Sequence, residues 1–175
     1  MVTLEINGDS KAYPVAILMW HEIVNDEVGG VPVTVTFCPL CNIAIVFDRR
    51  IGDVVYDFGT SGNLRKSDLV MWDRQTESWW QQITGEAIVG ELTGTKLTTI
   101  PAPMVSWSDF KEATPDGLLL SRDTGFGRNY NGAPSGGYGD LDNRPFLFSG
   151  QIDSKLPAME RVVGMDWVSS GVAYP

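Results

Sequence analysis

Val33-Thr34-Val35-Thr36-Phe37-Cys38-Pro39-Leu40-Cys41-Asn42-Ile43-Ala44-Ile45-Val46-Phe47 carries the strongest structural signal in the chain. Val33, Val35 and Phe37 alternate with threonines, and Ile43, Ile45 and Phe47 alternate with Ala44 and Val46. Each run keeps the two-residue period of a strand while staying apolar on both faces, as strands covered on both sides do. The segment therefore predicts two central strands joined by a turn that holds a pair of thiols, Cys38-Pro39-Leu40-Cys41.

Working outward, Val54, Tyr56 and Phe58 alternate with Asp53, Val55 and Asp57 after the turn at Gly52, which predicts a half-exposed neighbouring strand. Further short strands are expected at Leu69–Trp72, Ser78–Gln82, Ala87–Leu92, Lys96–Ile100 and Leu118–Ser121. Pro14 suits a first helical position, and the nearly all-apolar stretch 15–24, stopped by Gly29-Gly30, predicts a buried helix. Ser106 followed by Asp109 predicts a capped, short amphipathic helix through Ala113, ended by Thr114-Pro115. Residues 124–145, rich in Gly, Asn, Asp and Pro with Tyr130 and Tyr138 embedded, predict a long surface loop able to cover a site. The expected fold class is mainly β (β-rich α+β), a single compact domain over 1–175 of short antiparallel strands with two short helices and a long Gly-rich loop.

One internal similarity stands out. Met165-Asp166-Trp167 followed by Ala173-Tyr174-Pro175 aligns without gaps on Leu4-Glu5-Ile6 followed by Ala12-Tyr13-Pro14, which predicts the start of a second repeat at 162–175.

At 43% hydrophobic residues, a 175-residue chain can bury a core without disulfide staples. Its 22 acidic and 13 basic residues give a formal charge of -9, which repels nucleic acid, so no nucleic-acid partner is expected. No apolar run approaches the roughly 20 residues of a membrane helix, so no transmembrane segment is expected either.

The chemistry concentrates at Cys38 and Cys41, and two cysteines alone do not form the framework of a small secreted domain. A thioredoxin-like pair opens a helix whose dipole activates the thiolate, whereas here a strand follows. A thiol turn between strands instead has the form of a metal knuckle, suited to zinc or copper. His21, seventeen positions before Cys38 and the only histidine, is the candidate third ligand, leaving one coordination position open. The bland alternative makes His21 a core residue and the cysteines a redox pair, a structural disulfide or inert buried thiols.

A second dense region is Ser67-Asp68-Leu69-Val70-Met71-Trp72-Asp73-Arg74-Gln75-Thr76-Glu77-Ser78-Trp79-Trp80. Asp68, Trp72, Asp73, Arg74, Trp79 and Trp80 are candidates for a carbohydrate-binding face, with indoles stacking on sugar rings. The plainer expectation is a hairpin turning at 73–77 with Trp72 and Trp79 in the core. Gly59-Thr60-Ser61-Gly62, Gly125-Phe126-Gly127 and Asp140-Leu141-Asp142-Asn143 miss the spacings of a hydrolase elbow, a dinucleotide fingerprint and a calcium loop, and read as turns.

Ala12-Tyr13-Pro14, Trp20-His21-Glu22-Ile23-Val24-Asn25-Asp26, Gly29-Gly30-Val31-Pro32-Val33, the thiol turn and the block 67–76 together resemble the family of domain of unknown function 3179. The resemblance extends to Leu156-Pro157 and Glu160-Arg161-Val162-Val163-Gly164 and so covers nearly the whole chain. It places His21 and both thiols within the family's motif blocks and implies an extracytoplasmic home, since members in bacteria and archaea often follow export signals. It implies no reaction. Where the family commonly has Gly after the second Cys, this chain has Asn42, which also tolerates a left-handed conformation.

Overall fold

A computed structural model describes residues 1–132, 140–167 and 170–175. The chain forms two compact units, Met1–Pro134 and Ser135–Pro175. The first opens with β1 (Val2–Ile6), β2 (Asp9–Tyr13), α1 (Val15–His21), β3 (Ile23–Val28), β4 (Val31–Cys38) and β5 (Ile43–Asp48). It continues through β6 (Arg50–Ile51), β7 (Val54–Val55), β8 (Phe58–Arg65), β9 (Asp68–Asp73), β10 (Trp79–Gln81) and β11 (Glu86–Val89). Strand β12 (Thr99–Ile100), helix α2 (Trp107–Ala113) and β13 (Leu118–Leu119) complete it, and the second unit carries the hairpin β14 (Val163–Trp167) and β15 (Ser170–Tyr174). Short, mostly antiparallel strands with two helices make this the β-rich fold that the alternating patterns predict.

The sheet β12-β5-β4-β3 is the middle layer of the first unit. Residues Val33, Val35, Phe37 and Val46 pack with Val2, Leu4, Tyr13 and Leu18, so the β1–β2 hairpin and α1 cover one face. Cys38 and Phe47 pack with Phe58, Leu69, Met71, Trp80 and Ala87, so the sheet β11-β10-β9-β8 covers the other. Thr34 and Thr36 are fully buried within this sandwich. Thr36 is satisfied there, donating to the Ile45 carbonyl at 2.6 Å and accepting from Gln82 Nε2 at 3.0 Å. Both central strands are thus the expected ones, and Cys38 pairs directly with Ile43 across the thiol turn.

Helix α1 ends at His21, three residues before the expected end. Glu22 takes a left-handed φ of 60°, its N–H still donating to Leu18, while its carbonyl accepts from Phe37 N at 2.7 Å and so joins the sheet. Ile23 and Val24 then pair with Thr36 and Val35, and Gly29-Gly30 (φ 54° and 76°) is a hairpin turn rather than a helix stop. Long-range pairing has overridden a locally helical pattern. Only Ile17 and Leu18 of α1 are fully buried.

The single strand expected over residues 54–58 divides in two. Val54 and Val55 form the exposed arm of a small hairpin with β6, and Phe58 starts β8. The hairpin over 69–82 forms with its turn at 73–77, but Trp80 rather than Trp79 is its core indole. Trp80 is 0% exposed opposite Met71, whereas Trp79 is 38% exposed opposite Trp72 on the outer face. Helix α2 agrees with its sequence signal, Ser106 Oγ accepting from Asp109 N at 3.1 Å. Residues 124–132 and 140–145 have no strand or helix, and Tyr138 lies outside the described residues.

This register predicts unequal effects for adjacent tryptophans. In urea unfolding, Trp80→Ala is expected to cost about 3–5 kcal/mol and Trp79→Ala no more than about 1 kcal/mol. Equal losses would contradict the assignment of faces.

Candidate metal centre

The thiol turn is held by its strands. Cys38 closes β4 and is 1% exposed, and Cys41 is half-buried. Asn42 completes the turn at φ 54°, the left-handed conformation that this residue tolerates better than most. The two sulfurs stand 3.1 Å apart, in hydrogen-bond contact and well beyond the roughly 2.05 Å of a disulfide.

A second turn meets the first from the covering sheet. Strands β8 and β9 pair Arg65 with Asp68, leaving Lys66 and Ser67 as a two-residue loop with φ of 53° and 65°. Such turns prefer Asn-Gly, and a non-glycine residue in that region carries about 1–2 kcal/mol of strain. The result is that the Ser67 carbonyl oxygen lies 3.2 Å and Asp68 Oδ1 lies 3.6 Å from Cys41 Sγ. Asp68 is 3% exposed, and its other oxygen accepts from Gln81 Nε2 and Ile83 N, each at 3.0 Å. Oδ2 is thereby fixed, and Oδ1 is turned toward the thiols. Donor atoms of Cys38, Cys41 and Asp68 all lie within 4.8 Å of one another, the geometry of a group able to hold a metal ion.

The electrostatics of this group are asymmetric. The hydrogen bond from Cys41 holds the Cys38 thiol below its ordinary value, and burial offsets only part of that effect. The same bond raises Cys41 strongly, aided by burial and by the charge of Asp68. One proton on Cys41 therefore faces three acceptors: the Cys38 sulfur, the Ser67 carbonyl and the Asp68 carboxylate.

His21 is not part of this group. Its Nε2 shares a 2.6 Å hydrogen bond with the Tyr130 hydroxyl, which shares another of 2.6 Å with Thr124 Oγ1. Phe126 packs on the imidazole with ring centroids 5.4 Å apart. The Gly-rich loop thus does cover a site-like residue, but that residue is the histidine. Among the described residues, the ligand group at the thiols contains Asp68 and not His21.

The six candidates for a sugar-binding face do not share a surface. Asp68, Asp73 and Trp80 are buried, and Asp73 accepts from Thr76 N at 2.6 Å and Trp80 Nε1 at 2.9 Å, which is a turn-stabilising role. Trp79 and Trp72 pair on the outer face, where the Arg74 guanidinium lies 5.2 Å from the Trp72 ring. Asp68 was readable as a functional acid, but its companions proved to be thiols from a segment 27 residues earlier.

The profile of the Protein of unknown function (DUF3179) family matches residues 1–175, the whole length of the chain. The chain belongs to the DUF3179 family. No curated protein and no solved structure matches it. In this DUF3179 member no helix among the described residues is long and apolar enough to cross a membrane.

The asymmetry of the thiols is directly measurable. In the reduced, metal-free protein, ultraviolet thiolate absorbance is expected to show one group titrating below the ordinary thiol value of 9.0 and the other well above it. Cys41→Ala removes the donor and should raise the Cys38 midpoint. Two coincident midpoints near 9.0 would contradict the shared-proton arrangement.

Proposed function

We propose that this protein is a metal-binding protein whose site is formed by Cys38, Cys41 and Asp68, with zinc as the ion. The observation that carries this reading is the convergence of two sulfurs and a buried carboxylate oxygen within 4.8 Å of one another. A divalent cation would engage all three groups at once and offset two of the three negative charges that two thiolates and a carboxylate would otherwise leave in a low-dielectric pocket. Fixation of Asp68 Oδ2 by Gln81 and Ile83 supports the same reading, since ligating carboxylates are commonly oriented by outer hydrogen bonds.

The donor set bears on the metal. Two thiolates suit zinc or copper(I), but a carboxylate oxygen is a hard ligand that copper(I) disfavours and zinc accepts at about 2.0–2.2 Å. Two bonds of about 2.3 Å to a tetrahedral ion would set the sulfurs roughly 3.8 Å apart, so loading would open the pair by about 0.7 Å from 3.1 Å. Half-buried Cys41 is the side that yields, and the fourth position belongs to water, the Ser67 carbonyl or a partner.

An extracytoplasmic home is part of the proposal. In such an oxidising compartment a Cys-x-x-Cys pair closes to a disulfide unless a metal holds it. A reversible Cys38–Cys41 disulfide is accordingly the competing reading, favoured by the closeness of the sulfurs. Its weakness as an exchange catalyst is that the activated thiol, Cys38, is the buried one, while accessible Cys41 keeps its proton.

Elemental mass spectrometry of reduced, zinc-reloaded protein should find about one zinc per chain. Cys38→Ser and Cys41→Ser should abolish it, and Asp68→Asn should weaken binding by more than the roughly tenfold that follows loss of an outer partner. His21→Ala should leave it unchanged. Absence of zinc after reloading, with the two cysteines recovered as a disulfide on isolation, would replace this reading with the competing one.

A further inference from the structure

The two ends of the chain carry the same hairpin. In β1–β2 the cross-strand partners run Val2 with Tyr13, Thr3 with Ala12, Leu4 with Lys11, Glu5 with Ser10 and Ile6 with Asp9. In β14–β15 they run Val163 with Tyr174, Gly164 with Ala173, Met165 with Val172, Asp166 with Gly171 and Trp167 with Ser170. A constant shift of 161 residues, Val2 to Val163 and Tyr13 to Tyr174, converts every pair of the first hairpin into a pair of the second. Register is set by turn length and by which face is apolar, so two unrelated hairpins need not agree in it. Agreement along the whole ladder extends the sequence similarity at Ala-Tyr-Pro by a fourth identity, Val2 with Val163.

The first hairpin has a built seat. Val2, Leu4 and Tyr13 enter the core with Leu18, Val28, Val33 and Val35, and Val2, Ala12 and Tyr13 are at most 1% exposed. Both outer edges are paired as well. Thr3 N donates to the Pro103 carbonyl at 3.0 Å, Leu120 N donates to the Ala12 carbonyl at 2.9 Å, and β13 runs parallel to β2. The Tyr13 hydroxyl donates to Asp26 at 2.7 Å. At the turn, a Cβ on Gly29 would lie 2.1 Å from the Ile6 carbonyl, so only glycine lets the hairpin sit that close.

The second hairpin repeats the residues that fill this seat while leaving them exposed: Val163 is 68% and Tyr174 54% exposed. A two-stranded hairpin is marginal by itself in water and needs a body to cover its apolar side. We propose that residues 163–174 are a second copy of the β1–β2 hairpin, shaped to seat on a second copy of the body that residues 14–120 form here. Its recognition chemistry is that of the first: Val163 and Tyr174 in the positions of Val2 and Tyr13, and two strand edges offered for backbone pairing. Lys11, whose ammonium bonds Asp26 at 3.0 Å, and Thr3, whose hydroxyl donates to the Pro103 carbonyl at 3.2 Å, are among the seat contacts without a counterpart, since Val172 and Gly164 stand in their places.

A hairpin transplant tests this in the full chain. Residues 1–13 are replaced by residues 162–174 behind an initiator methionine, with a chain lacking residues 1–13 as control. The transplant is expected to keep a cooperative urea transition and the deletion to lose it. A second transplant carrying Val172→Lys restores the bond to Asp26 and should raise the midpoint. If both transplants are as unfolded as the deletion, the proposal is overturned. If the deletion itself folds by recruiting its own 163–174 hairpin, Val163→Asp in that background should unfold it. Indifference to Val163→Asp there would equally overturn the proposal.

Discussion

The antiparallel pairing of β4 with β5, buried on both faces, is the constraint on which the site depends. Val33, Val35 and Phe37 point to one core while Thr34, Thr36 and Cys38 point to the other, so the period of two that makes the strand also decides where the first thiol goes. With Cys38 paired to Ile43, the intervening turn has little freedom, and Cys41 returns over Cys38. A one-residue slip would move Cys38 to the hairpin side of the sheet and part it from Asp68. Register and chemistry are therefore one property of this segment.

The opposing sheet supplies the other half. Its Lys66-Ser67 turn is held in a backbone region that neither residue favours, and strain of this kind persists only where the surroundings over-determine it. The effect is to bring a carbonyl and a carboxylate to a thiol already engaged by a second thiol. Proton, metal ion and disulfide bond are three ways to relieve that concentration of lone pairs and charge. The proton bridges the two sulfurs, a disulfide would consume the sulfurs and leave Asp68 aside, and a cation would engage both sulfurs and Asp68 together.

Much of this was legible from periodicity alone. The central strands, the strand-turn-strand setting of the thiols, the hairpin over 69–82 and the Ser106 cap are local patterns, and local patterns survive folding when nothing long-range competes. The end of α1 was not legible, because Ile23 and Val24 fit a helix locally and are drawn into β3 by strand β4. The partner of the thiols was hidden for a related reason. His21 was the ligand-type residue nearest in sequence, whereas Asp68 arrives through sheet-on-sheet packing, and no spacing rule relates the two turns. The Gly-rich loop, expected to cover a site, delivers Tyr130 and Phe126 to His21 and so occupies the imidazole that the thiols were expected to share.

Asp68, and not His21, is the residue grouped with Cys38 and Cys41. X-ray absorption at the zinc edge of the reloaded, reduced protein tests this grouping most directly. The expected spectrum has two sulfur neighbours with the remaining light neighbours at oxygen distances and no imidazole multiple scattering, and it is unaltered by His21→Ala but changed by Asp68→Asn. A shell with imidazole scattering that vanishes in His21→Ala, or one without sulfur, would contradict it.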